Sequence, residues 1–128
     1  MRLLLDTHVL LGFIERRATR LPADVESLLT DPNNEHHVSA ASLWEIAIKS
    51  RLGKLRLRPS LSSLPELLDG LGIQIVAINE HHALATVEPE PITRDPFDRM
   101  LLAQCQVEGL RLATMDRAIV SHPMVAKR

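Results

Sequence analysis

The sequence predicts an α/β fold, a three-layer α/β/α sandwich with a central parallel sheet. Short runs rich in Leu, Ile and Val alternate with longer helical segments along the 128 residues. Strands that alternate with helices form parallel sheets whose two faces are covered by the helices. Glycines and prolines stand between the segments, where elements begin and end. No internal repeat or linker is found, so one domain over residues 1–128 is expected.

The first half of the chain is expected to contain two strands and three helices. Three consecutive leucines indicate a buried first strand, and Ser39 is a suitable N-cap for the third helix, which Gly53 ends. The predicted bounds, in order, are Arg2–Asp6 (strand), Thr7–Glu15 (helix), Pro22–Thr30 (helix), His36–Ser39 (strand) and a helix from Ser39 through Leu52.

The second half continues the alternation. Gly72 and Gly109 follow apolar periodic segments and are expected to end helices, while Asp95-Pro96 is expected to open one. The predicted bounds are Leu61–Leu71 (helix), Ile73–Ala77 (strand), Asn79–Val87 (helix), Asp95–Glu108 (helix), Leu110–Thr114 (strand), Asp116–Ser121 (short helix) and Met124–Ala126 (edge strand).

Composition excludes several classes of protein. Hydrophobic residues make up 45% and charged residues 24%, which is typical of a soluble globular domain. Cys105 is the only cysteine, so an internal disulfide framework is excluded and a reducing, cytoplasmic location is expected. No apolar run is long enough for a membrane span, so no membrane association is expected. A net charge of −1 means that RNA binding would require a local basic patch or a bound metal ion.

Acidic residues follow the predicted strands at one edge of the sheet. Asp6 ends the first strand, and Asp116 lies two residues past the end of the fourth. Glu45 and Asp98 lie near the beginnings of two helices. Loops and helix amino termini converge at the carboxyl ends of parallel strands, so the four acids are expected to project into one crevice. Each acid alone has another explanation, as a helix cap or a partner of the helix dipole.

A shared crevice would create repulsion among these carboxylates. Clustered carboxylates either take up protons or hold a cation, and oxygen ligands suit Mg²⁺ or Mn²⁺. Such an ion lowers the pKa of a bound water and stabilises charge at a phosphate, so phosphodiester hydrolysis is the expected chemistry. The pattern leaves open whether one ion or two are bound.

Four segments resemble a known family. With these segments in this order, the chain resembles PIN-domain ribonucleases over nearly its whole length, and among them the VapC-like toxins of type II toxin–antitoxin systems. The segments are Leu3-Leu4-Leu5-Asp6-Thr7-His8, Ser39-Ala40-Ala41-Ser42-Leu43-Trp44-Glu45-Ile46-Ala47-Ile48-Lys49, Arg94-Asp95-Pro96-Phe97-Asp98-Arg99-Met100-Leu101 and Leu112-Ala113-Thr114-Met115-Asp116.

The resemblance implies a PIN-like parallel sheet flanked by helices and an endoribonuclease that depends on Mg²⁺ or Mn²⁺. It implies that an activated water cleaves RNA, commonly a structured RNA such as tRNA, and leaves a 5′-phosphate. It also implies a homodimer and a small VapB-like antitoxin that covers the active site. The catalytic, metal-binding acids that it implies are Asp6, Glu45, Asp98 and Asp116.

Residues near the acids are candidates for supporting roles. Thr7 and Thr114 flank acids and are expected to hydrogen-bond a carboxylate or the water shell of the metal, with helix capping as the alternative. Trp44 and Phe13 are expected in the core or at a dimer contact, and not as base-stacking platforms. Five cations are candidates for contacts to the RNA backbone, with a solvated helix end or local pairing as the alternative: Lys49, Arg51, Arg94, Arg99 and Arg117.

Two other functions fit parts of the pattern. A receiver-like signalling module also has a parallel sheet and an acidic Mg²⁺ pocket, but it requires paired acids after its first strand and an acceptor aspartate after its third. Here Asp6 stands alone and Ile73–Ala77 ends without an acid. A non-catalytic protein of the PIN-like fold that binds metal or RNA remains compatible with the sequence.

Overall fold

In the part of the chain that the structure describes, four parallel strands form one sheet. The structure, a computed structural model, describes residues 1–15 and 21–127. The strand order is β3-β2-β1-β4, and every neighbouring pair is parallel. The bounds of the strands are β1 (Arg2–Leu5), β2 (Glu35–Ser39), β3 (Ile73–Val76) and β4 (Arg111–Ala113).

Helices connect the strands. A 3₁₀ turn, Leu61–Ser63, precedes the fourth of them. Among the described residues, no helix has the length and apolar character needed to cross a membrane. The helix bounds are α1 (Thr7–Ile14), α2 (Ala23–Thr30), α3 (Ala40–Arg51), α4 (Leu64–Gly70), α5 (Glu80–Leu84) and α6 (Pro96–Glu108).

Strand β1 is buried on both faces and divides the core in two. Leu3 and Leu5 belong to one apolar cluster and Leu4 to the other, because successive side chains of a strand point to opposite faces. All three are 0% exposed. The first cluster includes residues of α1, α2, α3 and α4, and the second includes residues of α6. The predicted three-layer sandwich with a central parallel sheet is therefore confirmed.

Side-chain caps and a left-handed glycine determine where α3 and α6 begin or end. The Ser39 hydroxyl accepts a hydrogen bond from the amide of Ala41 and caps α3, as expected. Helix α6 begins at Pro96 after the N-cap Asp95 and ends at Gly109, whose φ of 69° is left-handed. These caps set the starting points of the two helices that carry Glu45 and Asp98.

The predicted helix over Asp116–Ser121 is wrong. The amides of Ile119 and Val120 both donate to the carbonyl of Asp116, which makes one turn and no continuing helix. Pro123 disfavours helical backbone just beyond this turn, so the turn is not extended into a helix.

Two further bounds differ from the prediction. Helix α5 ends at Leu84, because the chain becomes extended at Ala85 and Val87 enters the second core cluster. The predicted edge strand is reduced to one bridge between Val125 and Leu112, since turns occupy the preceding residues.

Candidate active site

A cavity of about 440 Å³ contains all four predicted acids in its lining. It lies where β1 and β4 end and where α3 and α6 begin. Residues from four distant stretches of the chain therefore share one hollow. Its lining residues are Asp6, Thr7, His8, Glu45, Lys49, Asp95, Asp98, Met115, Asp116 and Arg117.

Asp6 is the most buried of the acids, at 6% exposure. It follows β1 directly and caps α1, because its Oδ1 accepts a hydrogen bond of 2.8 Å from the amide of Val9. Its Oδ2 accepts a short hydrogen bond from the Thr114 hydroxyl. The same hydroxyl accepts a 3.0 Å bond from the amide of Asp116. Thr114 thus links the carboxylate of Asp6 to the backbone of Asp116 at the ends of two neighbouring strands.

Glu45 lies in the second turn of α3, with a side chain only 12% exposed. Its Oε1 accepts a 2.6 Å hydrogen bond from the Thr7 hydroxyl. Its Oε2 accepts a 2.7 Å bond from the Nζ of Lys49, four residues further along the helix. Both carboxylate oxygens of Glu45 therefore have partners. Sequence reasoning placed Thr7 beside an acid but did not identify the Glu45–Lys49 ion pair, although its i,i+4 spacing is a known signal.

Asp98 lies in the first turn of α6. The Thr93 hydroxyl donates to its Oδ2 at 3.3 Å and also accepts a bond from the amide of Asp95. Thr93 therefore joins the acid to the loop that leads into the helix. Sequence reasoning missed Thr93, since nothing local distinguishes it from an ordinary loop threonine. Asp95 was expected to open the helix or to pair with Arg99 at i,i+4 spacing; it does cap the helix, whereas the ion pair of Arg99 is with Glu90.

The environment raises the pKa of two acids. The pKa of Asp98 rises to about 7, first because of burial and then because of the negative charges of Asp95 and Asp116. The hydrogen bond from Thr93 opposes this shift, and the charge of Asp6 adds to it. Burial also raises the pKa of Asp6, despite two hydrogen bonds that lower it, and the charge of Asp116 contributes. Three of the acids therefore repel one another.

The donor set fits a divalent cation, but the side chains are not gathered around one point. Among the described residues, no group of three or more Asp, Glu, His or Cys side chains is close enough to hold a metal ion. Each carboxylate instead bonds to its own neighbour, as with the amide of Ala118 at Asp116 Oδ1. Carboxylate oxygens are the ligands that Mg²⁺ and Mn²⁺ favour, and a cation would relieve the repulsion among these acids. Binding would require some of these carboxylates to rotate away from their present partners.

The raised pKa of Asp98 predicts that the metal-free protein loses stability as pH rises. The folded state holds the Asp98 proton up to about pH 7, whereas an unfolded Asp releases it near pH 4, so the free energy of unfolding falls between these values. Asp98 is partly exposed, and water screening limits the effect to about 1 kcal/mol. Melting curves in EDTA at pH 5 and pH 7.5 measure it.

The Asp98→Asn variant should show a smaller loss between these two pH values than the wild type. Asp69→Asn, which replaces an exposed acid on α4, is the matched control and should keep the wild-type slope. Equal slopes for the wild type and Asp98→Asn would contradict the raised pKa.

The structure places only some of the predicted RNA-binding cations at the acidic cavity. Lys49 and Arg117 line the acidic cavity, whereas Arg51 and Arg94 are exposed outside its lining. Arg99 donates to Glu90 at 2.5 Å and to the backbone carbonyl of Thr93 at 3.2 Å, and it lines a different cavity. Arg99 therefore holds the loop before α6. A role of these cations in RNA binding stays a prediction.

Trp44 does not lie in the core, one of the two places expected for it, and the other, a dimer contact, stays a prediction. Its side chain is 60% exposed, and its ring meets that of Phe97 edge-to-face, with centroids 5.7 Å apart. Phe13 is half-buried against the first core cluster, with its ring edge-to-face with His36. The helical pattern of α3 did not indicate that Trp44 is exposed, because Trp44 lies beside the stripe of inward-facing residues.

Comparisons with known proteins agree with this architecture. Residues 3–123 match the family described as PIN domain. The chain is 36% identical over 74 residues to Ribonuclease VapC16 of Mycobacterium tuberculosis, an alignment that covers 54% of this chain and 52% of that protein. The chain thus spans about half the length of this curated relative. A solved structure described as a toxin-antitoxin complex from Klebsiella pneumoniae has the same fold, with a TM-score of 0.62 and 18% sequence identity. The match covers 97% of this chain and 95% of the chain in that structure.

Proposed function

The chain belongs to the PIN domain family, and from this we propose that it is a metal-dependent endoribonuclease. The observation that carries the proposal is the single cavity lined by acids from four distant segments. The name of its relative, a ribonuclease, supports RNA as the substrate. The proposed metal ligands are Asp6, Glu45, Asp98 and Asp116.

The proposed cofactor is Mg²⁺ or Mn²⁺. When bound, such an ion would activate a water for attack on the phosphorus and stabilise the charge that develops on the phosphate oxygens. The chain itself supplies orientation. The Thr114 hydroxyl holds the Asp6 carboxylate, and the Thr7 hydroxyl holds that of Glu45. A carboxylate that keeps its threonine partner after the ion is bound loses less freedom, which improves metal binding.

Two cations at the cavity are proposed to receive the RNA phosphate. Lys49 and Arg117 both line it, and the Lys49 side chain is 41% exposed. A cation that occupies the acids would compete with Lys49 for Glu45. We propose that Lys49 then turns to a phosphate oxygen, so that its charge serves the substrate when it no longer neutralises Glu45.

The proposed biological setting is a toxin–antitoxin pair. The ribonuclease name of the relative and the description of the structural neighbour as a toxin-antitoxin complex support a VapC-like toxin. On this proposal the chain acts in the cytoplasm as a homodimer, cleaves a structured RNA such as tRNA, and is inhibited by a small VapB-like antitoxin. A short open reading frame immediately upstream of the gene would support the pairing.

Cleavage of RNA by the purified protein tests the proposed function. Total tRNA is incubated with the protein in Mg²⁺, in Mn²⁺ or in EDTA, and the new RNA ends are sequenced. Cleavage that requires one of the metals and leaves 5′-phosphates is expected. Equal cleavage in EDTA would contradict the metal mechanism. Metal binding without cleavage of any RNA would instead support the non-catalytic alternative.

A further inference from the structure

The connector between α5 and α6, residues 85–95, is attached to the side of α6 at two places. At the first, the side-chain amide of Gln106 donates to the carbonyl of Thr86 at 2.9 Å and accepts from the backbone amide of Glu88 at 3.0 Å. One side-chain amide thus binds two backbone groups that lie two residues apart, which fixes both the position and the direction of the chain. This end of the connector is held by residues outside the lining of the acidic cavity.

Arg99 holds the end of the connector that leads to the cavity. Its Nη2 donates to Oε1 of Glu90 at 2.5 Å, and its Nη1 donates to the carbonyl of Thr93 at 3.2 Å. The guanidinium is planar and its donors have a fixed geometry, so the two bonds together set the course of the chain from Glu90 to Thr93. Arg99 itself lies outside the lining of the acidic cavity. An influence of Arg99 on the cavity would therefore pass through the connector.

Thr93 is buried, and its hydroxyl connects the chain to one of the acids. The hydroxyl donates to Oδ2 of Asp98 at 3.3 Å and accepts from the amide of Asp95 at 3.1 Å. In the part of the chain that the structure describes, Oδ1 of Asp98 has no hydrogen-bond partner, whereas both oxygens of Asp6 and of Glu45 have one. Oδ1 can therefore accept a cation while Oδ2 keeps its bond to Thr93.

We propose that Thr93 is a positioning residue for Asp98 and that Arg99 supports metal binding through Thr93, by holding the connector in place. The inference rests on the proposed metal-dependent function and gives Arg99 a role other than contact with RNA. A carboxylate that keeps its hydroxyl partner loses less freedom when an ion binds to its other oxygen. Loss of a hydrogen-bond partner of a metal ligand weakens metal binding or activity by about 10- to 100-fold.

The positive charge of Arg99 gives this proposal a sign that can be measured. Removing a cation near carboxylates strengthens their attraction for Mn²⁺, because like charges repel one another. Loss of the support for Thr93 has the opposite effect, since Asp98 is then less well oriented. Weaker Mn²⁺ binding by an Arg99 variant would therefore identify positioning rather than charge.

Binding of Mn²⁺ in the absence of RNA measures the effect of Thr93 apart from catalysis. Isothermal titration calorimetry at one fixed pH compares the variants. Thr93→Val removes the hydroxyl and should raise the Kd for Mn²⁺ by about 10- to 100-fold. Thr93→Ser keeps the hydroxyl and should recover most of the loss. Thr86→Val is the matched control, because it makes the same substitution at an exposed position of the same connector, and it should bind Mn²⁺ like the wild type.

Arg99→Gln should raise the Kd for Mn²⁺ by roughly 2- to 10-fold, less than Thr93→Val, because Gln106 still holds the other end of the connector. The double variant Thr93→Val/Arg99→Gln should bind no more weakly than Thr93→Val alone, since Arg99 acts through the hydroxyl that is already lost. Arg111→Gln is the matched control. Arg111 also donates to a loop carbonyl, that of Pro123 at 2.8 Å, but it begins β4 and lies outside the lining of the cavity, so Mn²⁺ binding should not change.

Melting curves in EDTA show that each variant is folded before its affinity is compared, and Arg99→Gln alone decides the sign if Thr93→Val is unfolded. Wild-type affinity for Mn²⁺ in a folded Thr93→Val protein would overturn the proposal. So would tighter Mn²⁺ binding by Arg99→Gln, which is the effect of charge alone. A raised KM for RNA in Arg99→Gln, with unchanged Mn²⁺ binding, would show that Arg99 contacts the RNA instead.

Failure of the proposed function gives a different result. The wild-type protein would then leave RNA uncut in Mn²⁺, while Thr93→Val still bound Mn²⁺ more weakly than the wild type. The positioning role is thus measured on the metal alone, and the ribonuclease activity on RNA.

Discussion

Asp6→Asn is expected to reduce RNA cleavage by at least about 10²-fold while the protein stays folded. The asparagine side chain is neutral, so it binds a divalent cation more weakly than the carboxylate does. The several kcal/mol by which the cation stabilises the transition state are then largely lost. The amide oxygen can still accept the hydrogen bond from Val9, and Thr114 can accept from the new amide group. Initial rates of tRNA cleavage in Mg²⁺ measure the loss.

Two comparisons make the result for Asp6→Asn specific. Asp69→Asn removes the same charge from an exposed position on α4 and should cleave at the wild-type rate. Circular dichroism should show the same secondary structure in all three proteins. A folded Asp6→Asn protein that cleaves as fast as the wild type would exclude Asp6 from the reaction.

His82→Ala is expected to lower the free energy of unfolding by about 2–4 kcal/mol. His82 is 2% exposed and lies where α5 packs on α6. Its Nδ1 accepts a hydrogen bond from the amide of Asn79, so the ring proton is on Nε2, which donates to Glu108 at 2.8 Å. The side chain of Gln104, 0% exposed, also approaches Nδ1 at 3.5 Å. Alanine would leave a cavity and several polar groups without their partner.

The neighbouring histidine provides the control for His82→Ala. The His81 side chain is 73% exposed on the same short helix, so His81→Ala removes the same type of side chain without opening a cavity. Thermal melts should show a fall in Tm of roughly 8–15 °C for His82→Ala and little change for His81→Ala. Similar melting temperatures for both variants would mean that the buried network contributes little to stability.

Patterns that depend on neighbouring residues were predictable from the sequence. The run Leu3-Leu4-Leu5 indicates a strand buried on both faces, and this strand lies inside the sheet, with one core cluster on each face. Ser39 and Gly109 mark helix ends through the chemistry of their own residue types. The shared cavity follows from the topology, because parallel strands place their carboxyl ends at one edge.

Features that depend on how a loop or a helix packs against its neighbours were not predictable. The hydroxyl of Thr93 bonds to Asp98, and the chemistry of a threonine gives no sign of which carboxylate it will meet. Arg99 bonds to Glu90 because the loop before α6 folds back towards the helix. The exposure of Trp44 depends on how α3 meets α6, since the helical pattern alone places large apolar residues in the core.

The central claim is that acids from distant parts of the chain meet around one metal site, although their side chains now bond to separate neighbours. Anomalous diffraction from crystals grown in Mn²⁺ tests it most directly. We expect a Mn²⁺ peak within bonding distance, about 2.0–2.3 Å, of carboxylate oxygens from Asp6, Asp98 and Asp116. A cavity without a peak at saturating Mn²⁺, or a peak bound by none of these acids, would contradict it.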